Sequence, residues 1–343
     1  MRGLVKFARG DGFVEVREVE DLPPDANQVK IEVKASGICG SDLHVYHDDI
    51  NYLIRPPVVI GHEFSGVIVE KGSEIGSEVQ IGDRVTAEPS GYTCGTCRYC
   101  KSGYYNLCSE RKVIGYWFNG SFARYCNATF IHKLPDNVTF HAGAVTELLA
   151  CAVHGVVEQT GISAGDFVVV TGPGPLGIFS ALVAMAEGGV VTLCGISSDA
   201  HRFKLAGELG VHHTLNIEEC DALQRIREVT GGYGADIVLE CSGVPSAAHM
   251  ALEMVRKRGK YTQIGLFCRP IEIDFEQIAY KEIKVSGSIS QRRPAWERAL
   301  DLMKRGAVPT DRLISHEFPL HEWQRAFEMF ERKEGVKLLL LPE

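Results

Sequence analysis

The chain has 343 residues, room for two domains, and its 45% hydrophobic and 23% charged content is that of an ordinary globular protein. A net charge of −8 with no basic stripe argues against nucleic acid as a partner. The start, MRGLVKFARGDGFVEV, lacks the apolar run of a leader, and no run is long enough to cross a bilayer, so no membrane partner is expected. The eleven cysteines then fit a reducing compartment, and the cytoplasm is the expected location.

In chain order, the first stretch reads as an edge strand. Short β-type runs follow at 29–33, 58–60, 66–69 and 84–87, punctuated by Gly and Pro. Residues 1–150 are therefore expected to form an irregular, mostly β domain. Within it, Gly37-Ile38-Cys39-Gly40-Ser41-Asp42-Leu43-His44 precedes Gly61-His62-Glu63-Phe64-Ser65-Gly66. A Cys, a His and one or two Glu make a mixed-ligand zinc site, and mixed sites with an open position are the catalytic kind. Taken singly, Cys39 reads as a buried thiol and His62 as a satisfied core histidine. Together, beside the motifs below, they read as ligands.

A lobe at about 90–110 carries Cys94, Cys97, Cys100 and Cys108 on polar, turn-prone sequence. Two-residue gaps between cysteines seldom suit disulfides. Four thiolates that leave no position open suit a structural zinc, which does no chemistry. Trp117 follows the lobe and is expected to wall a substrate cleft.

From about 151 the texture changes. Strands at 167–170, 190–194, 236–240 and 260–264 alternate with helices at 176–186, 201–209 and 247–255, the pattern of βαβ units on a parallel sheet. Arg256-Lys257-Arg258 reads as the end of the last of these helices. A helix at 294–305 and a final strand at 336–341 complete the chain. After the first of the βαβ strands comes Gly172-Pro173-Gly174-Pro175-Leu176-Gly177. In this G-x-G-x-x-G, Gly172 permits the turn, Gly174 admits a pyrophosphate, and Gly177 lets the helix pack close. The choice between NAD and NADP stays open. Gly195 stands where an acid would hold the ribose. Ser197, Ser198 and Arg202 would suit a 2′-phosphate, while Asp199 would suit a ribose hydroxyl.

Over nearly its whole length the chain resembles the zinc-containing medium-chain alcohol and polyol dehydrogenases, and within them the sorbitol and threonine dehydrogenase branch. The resemblance rests on the Cys39–His44 motif, Gly61-His62-Glu63-x-x-Gly66, the four lobe cysteines and the glycine turn. It implies an α/β protein with a GroES-like, mostly β catalytic domain (1–150) and a Rossmann domain, a doubly wound parallel sheet (151–286). A segment at 287–343 returns to the catalytic domain, and the active site is expected in the cleft between the domains. Cys39 and His62 become ligands of a catalytic zinc, Glu63 sits on or beside it, and Glu147 ligates directly or through water. Glu147 is favoured over Cys151 for the place that other alcohol dehydrogenases give to a cysteine. Ser41 becomes the hydroxyl of a proton relay and His44 its outer histidine. Pro175 and Leu176 belong to the cofactor turn. Ile178, Ile264, Gly265, Leu266, Ser288 and Ile289 fall near stretches that line the nicotinamide cofactor.

Two departures make sorbitol itself doubtful. Val45 stands where an aromatic substrate contact is usual, with Tyr46 following it, and Ser290, with Gln291, Arg292 and Arg293 close by, falls where an arginine is usual. The expected function is reversible oxidation of a secondary alcohol on a polyol, sugar or similar small molecule. It would use NAD or NADP and two zinc ions per chain, in a homotetramer or homodimer. The alternatives are a zinc-less quinone or enone reductase of the same superfamily and a non-catalytic NAD(P)-binding protein. Both fit poorly with an intact Cys39/His62/Glu63 set.

Overall fold

The computed structural model describes residues 1–49 and 52–343. The chain divides into two compact units: Met1–Glu147 with Arg292–Glu343, and Leu148–Gln291.

In the first unit the strand Val29–Gly37 is the organising element. It pairs antiparallel with Glu63–Lys71 on one side and with Lys337–Leu341 and Tyr125–Ala128 on the other. The sheet runs on through Arg84–Ala87 to Ile131–Lys133 at one end and Ile314–Pro319 at the other. Val29, Ile31 and Val33 alternate along the central strand and pack with Phe64, Ile68 and Val85, the period-2 burial that sets strand register. The opening strand is no edge: Arg2–Lys6 lies between Val14–Glu18 and Val58–Val59. It is covered on both sides because Leu4 and Val5 are both core residues, at 0% and 3% exposure. The helix Arg293–Lys304 buries Trp296 completely, with its ring stacked 5.1 Å from His132.

The second unit is a six-stranded, all-parallel sheet. Its order is His213–Asn216, Val190–Gly195, Phe167–Thr171, Ala235–Glu240, Val255–Gln263, Lys284–Gly287. Numbered from the first strand of the unit, the order is 3-2-1-4-5-6, the doubly wound arrangement whose switch point lies beside the first strand. Near-continuous apolar runs such as Val168-Val169-Val170 are fully buried, as helices on both faces require. The basic triplet Arg256-Lys257-Arg258 does not end a helix. The helix stops at Met254 and these residues lie on the next strand. There Arg256 Nε sits 2.6 Å from Asp236 of the neighbouring strand, a pairing that a helix end would not provide.

Candidate active site

Two clusters of metal-ligating side chains occur among the described residues. The first is the lobe. The Cys94, Cys97, Cys100 and Cys108 sulfurs all lie within 4.8 Å of one another, and none of the four is in a disulfide. Sulfur separations of 3.9 Å (Cys94–Cys100) and 3.6 Å (Cys94–Cys108) match the edge of about 3.8 Å expected for a tetrahedron of 2.3 Å zinc–sulfur bonds. Backbone N–H groups turn inward as well: Cys97 donates to Cys94 Sγ (3.3 Å) and Cys100 to Cys97 Sγ (3.4 Å). The Cys97 donor is the main reason that Cys94 is lowered to about 6, which favours thiolate. A buried network secures the lobe. Tyr105 Oη donates to both oxygens of Glu88 (3.0 and 2.8 Å), His132 Nε2 lies 2.9 Å from Glu88, and the Arg293 N–H donates to Tyr105 Oη (2.6 Å).

The second cluster is Cys39, His62 and Glu63, also with ligand atoms within 4.8 Å of one another. Cys39 is the N-cap of the helix Gly40–His47, where Asp42 Oδ2 accepts the Cys39 N–H at 2.8 Å. That bond turns the start of the helix, and with it Ser41, toward His62: Ser41 Oγ lies 3.4 Å from His62 Nε2. Asp42 is fully buried, and its second oxygen lies 3.4 Å from His62 Nδ1. A carboxylate behind one ring nitrogen leaves the other to face a metal. Burial works against a charged His62, yet Tyr116, Asp42 and Cys39 hold its pKa well above the usual histidine value.

Glu63 begins the strand Glu63–Lys71 and is fully buried, and its Oε1 has no hydrogen-bond partner among the described residues. The Lys337 ammonium lies 2.5 Å from Oε2 as a counter-charge. Lys337 Nζ also donates to the Ile38 carbonyl at 2.8 Å, next to Cys39. Gly37 stands opposite Glu63 in the register, and a Cβ there would come within 2.5 Å of Glu63 Oε2 and 3.0 Å of Lys337 Cε. The strand leaves room for this pair because residue 37 has no side chain. A buried carboxylate oxygen left without a partner, beside a thiol and an imidazole, completes a donor set that zinc takes, so the residues present fit the ion.

Other expected residues fall as follows. Glu147 is buried in the helix Thr146–Val153 and adds its charge to the field at Lys337, but it is outside the three-residue cluster. His44 is partly exposed, with Nδ1 2.9 Å from Asp49 Oδ1. Three further residues shape the site without a role assigned by any sequence motif. Tyr116 is buried with its ring 5.5 Å from that of His62, and its hydroxyl pKa is raised, first by burial, with Ser41 hydrogen-bonded to it. Asp42 and Lys337 are the other two. A lysine inside Val336-Lys337-Leu338-Leu339-Leu340-Leu341 was the available signal, because a cation in an apolar strand needs a buried anion.

In the second unit the glycine turn joins the strand Phe167–Thr171 to the helix Pro175–Ala186. Gly172 has φ +87°, and a Cβ on Gly177 would sit 1.8 Å from the Gly172 carbonyl oxygen. Nothing lies within 4 Å of a Cβ built on Gly174. The turn and the close packing are thus obligatory at 172 and 177, and the space in front of the helix N-terminus stays open at 174. Pro175 at the first helical position removes one N–H that would otherwise point there unpaired. A pyrophosphate fits this cradle. Leu176 follows Pro175 in the first turn of the helix, and Ile178, one turn in, is fully buried. Ile264 is 7% and Leu266 58% exposed, on either side of Gly265, whose Cβ would meet the Gly243 nitrogen at 2.4 Å. Ser288 donates its N–H to the Gln263 carbonyl, and Ile289 follows it. Arg202 is buried with Nη1 3.0 Å from Asp199, while the Ser197 N–H is taken by Glu218 and Ser197 Oγ by Asn216.

Residues 25–136 match the family model of the alcohol dehydrogenase GroES-like domain, and residues 175–305 that of the zinc-binding dehydrogenase. Among relatives, a sorbitol dehydrogenase of Halalkalibacterium halodurans is 45% identical over 100% of this chain and 99% of its own. A D-arabitol-phosphate dehydrogenase of Enterococcus avium is 37% identical over 99% and 97%. Among solved structures, a zinc-binding dehydrogenase from Sinorhizobium meliloti 1021 bound to NADP superposes with a TM-score of 0.90, at 31% identity over 99% of each chain. With these matches running its full length, the chain belongs to the zinc-containing medium-chain alcohol and polyol dehydrogenase family.

Proposed function

We propose that the protein oxidises a secondary alcohol on a polyol or similar hydroxylated small molecule, reversibly, with NAD(P)+ as hydride acceptor. The convergence of Cys39, His62 and Glu63 carries this reading. The sorbitol and arabitol-phosphate dehydrogenases among the relatives support the polyol class. Cys39, His62 and Glu63, with Glu147 near them, would hold a zinc ion that supplies Lewis-acid stabilisation of alkoxide, and the Gly172–Gly177 turn would hold the dinucleotide that accepts hydride.

The chain's own groups do the rest. Ser41 Oγ, beside His62 and Tyr116, accepts the alcohol proton. His44, partly exposed and backed by Asp49, passes it to solvent. Asp42 fixes His62 from behind, and the Tyr116 ring excludes water from one side of the imidazole. The zinc-less alternative loses support because its members lack the set that is present here. The lobe is proposed as a closed structural zinc site.

The cytoplasm is proposed as the compartment, because the four lobe cysteines cluster as metal-ligating thiols and are not joined in disulfides. Among the described residues no helix is long and apolar enough to cross a membrane. A homodimer or homotetramer is proposed. Among the described residues the strand Lys284–Gly287 is paired on one side only, and Leu266, Phe275, Tyr280 and Val285 are 48% to 76% exposed.

The test is a screen of polyols and simple secondary alcohols with NAD+ and NADP+ in parallel, following the reduced cofactor by absorbance. Turnover of a polyol with either cofactor is the expected result. No turnover by protein carrying two zinc ions per chain would refute the reading.

A further inference from the structure

Trp117 carries two cations. Arg55 Cζ lies 5.2 Å from its ring centroid and Lys112 Nζ lies 4.6 Å from it, and Lys112 Nζ is also 5.2 Å from the Tyr92 ring. Neither cation has a carboxylate partner among the described residues. The carboxylates at the end of the Gly40–His47 helix are already engaged, Asp48 with Arg9 and the Gly10 N–H, Asp49 with His44. Arg111, next to Lys112, is directed to Ser90 Oγ.

This pair adjoins the metal cluster through one residue. Tyr116 packs on His62 and precedes Trp117, and its carbonyl accepts the Arg55 N–H at 2.8 Å. The exposed Tyr52 ring lies 6.0 Å from the Tyr116 ring. Lys112 and Tyr92 belong to the ribbon Ser90–Tyr92 with Lys112–Val113, which enters the lobe just before Cys94 and leaves it just after Cys108. The cations are thus set on firm supports, one aromatic ring beyond the proposed zinc ligand.

We propose that Arg55, Lys112 and Trp117 bind an anionic tail of the substrate, and that the preferred substrate is a phosphorylated polyol, the monoester of a terminal hydroxyl. The proposal rests on the alcohol-oxidising reading above. The hydroxyls of a neutral polyol need no full charge opposite them. A guanidinium and an ammonium without counter-ions together match the −1.5 to −2 charge that a phosphate monoester typically carries near neutral pH, about one charge more than a carboxylate. The indole face holds both side chains near it by cation–π attraction, which lowers the cost of ordering them when the anion arrives.

The experiment uses zinc-loaded enzyme with saturating cofactor. It compares kcat/KM for a five- or six-carbon polyol, its terminal phosphate ester and the matching acid with a terminal carboxylate. The phosphate ester is expected to be preferred over the neutral polyol by roughly tenfold or more, the worth of one or two hydrogen bonds to a charged group. Arg55→Gln and Lys112→Gln should each lower that ratio, while Arg55→Lys should keep most of it. Inorganic phosphate should compete with the polyol for the wild-type enzyme and lose potency against Arg55→Gln. A ratio near one, a preference for the carboxylate, or a ratio unmoved by both Gln substitutions would overturn the inference and leave polyol oxidation standing. Failure to oxidise any of the three would remove the activity itself, and this inference with it.

Discussion

Lys337 and Glu63 form a fully buried ion pair, 2.5 Å apart, at the edge of the proposed zinc site. Burial opposes the ammonium, but Glu63, Cys39 and Glu147 together keep its pKa above the usual lysine value. Removing one member of such a pair strands the other's charge. Lys337→Met is expected to cost roughly 3–5 kcal/mol of unfolding free energy in metal-free protein, measured by urea denaturation. Added zinc should restore part of that, because it supplies a second cation to Glu63. A loss below about 1 kcal/mol would mean that the pair is not charged in the folded protein.

Cys39→Ala should reduce bound zinc from two to one per chain while the far-ultraviolet circular dichroism is unchanged. Lewis-acid stabilisation is worth several kcal/mol, so turnover should fall by at least about a thousandfold. Metal analysis by plasma emission beside a rate assay checks both halves. Normal turnover in this variant would remove Cys39 from the mechanism.

The lobe is anchored through Tyr105, which gives its hydroxyl hydrogen to buried Glu88. Tyr105→Phe takes a donor from a buried carboxylate and is expected to cost about 1.5–3 kcal/mol. It should also speed the loss of one zinc to a chelator, followed with a chromogenic competitor. Unchanged release kinetics would show that the Glu88 network does not hold the lobe.

His47 bridges Asp11 and Glu331 through its two ring nitrogens, at 2.8 and 2.6 Å. Its pKa is raised above 6.5, chiefly by the hydrogen bond to Glu331, with burial opposing and Asp11 adding to the rise. A raised folded value stabilises the charged form, so the contribution is complete below pH 6.5 and is lost as pH rises through the higher folded value. Wild-type stability should therefore decline over that interval relative to His47→Gln. Urea titrations at half-unit steps across it test the sign. Parallel curves for the two proteins would count against the bridge.

Gly37→Ala places a methyl where Glu63 Oε2 and Lys337 Cε already sit. It should weaken zinc binding at the Cys39 site more than at the lobe, as read by the chelator-resistant fraction. Equal weakening at both sites would point to general unfolding instead.

Local patterns were legible from the sequence. The lobe cysteines lie within one short segment, and the glycine turn has its strand on one side and its helix on the other, so spacing alone fixes their chemistry. Cys39, His62 and Glu63 needed more, because their convergence depends on the pairing of Val29–Gly37 with Glu63–Lys71. The residues that went unassigned act at longer range. Lys337 reaches the site only because its strand pairs beside Gly37, and Tyr116 only because an irregular turn after the lobe folds back on His62. The basic triplet at 256–258 misled for a related reason: Asp236, the partner that settles Arg256 in a strand, comes from a different segment. Residue type showed which groups carry charge, while the sheet register decided what neutralised it.

The ammonium that balances Glu63 also bonds to Ile38, 299 residues earlier in the chain. During synthesis, then, the early thiol, imidazole and carboxylate leave the ribosome long before their counter-ion. A prematurely terminated product would have the makings of a metal pocket but no way to bury its negative charge. Charge balance inside the site therefore waits on residue 337.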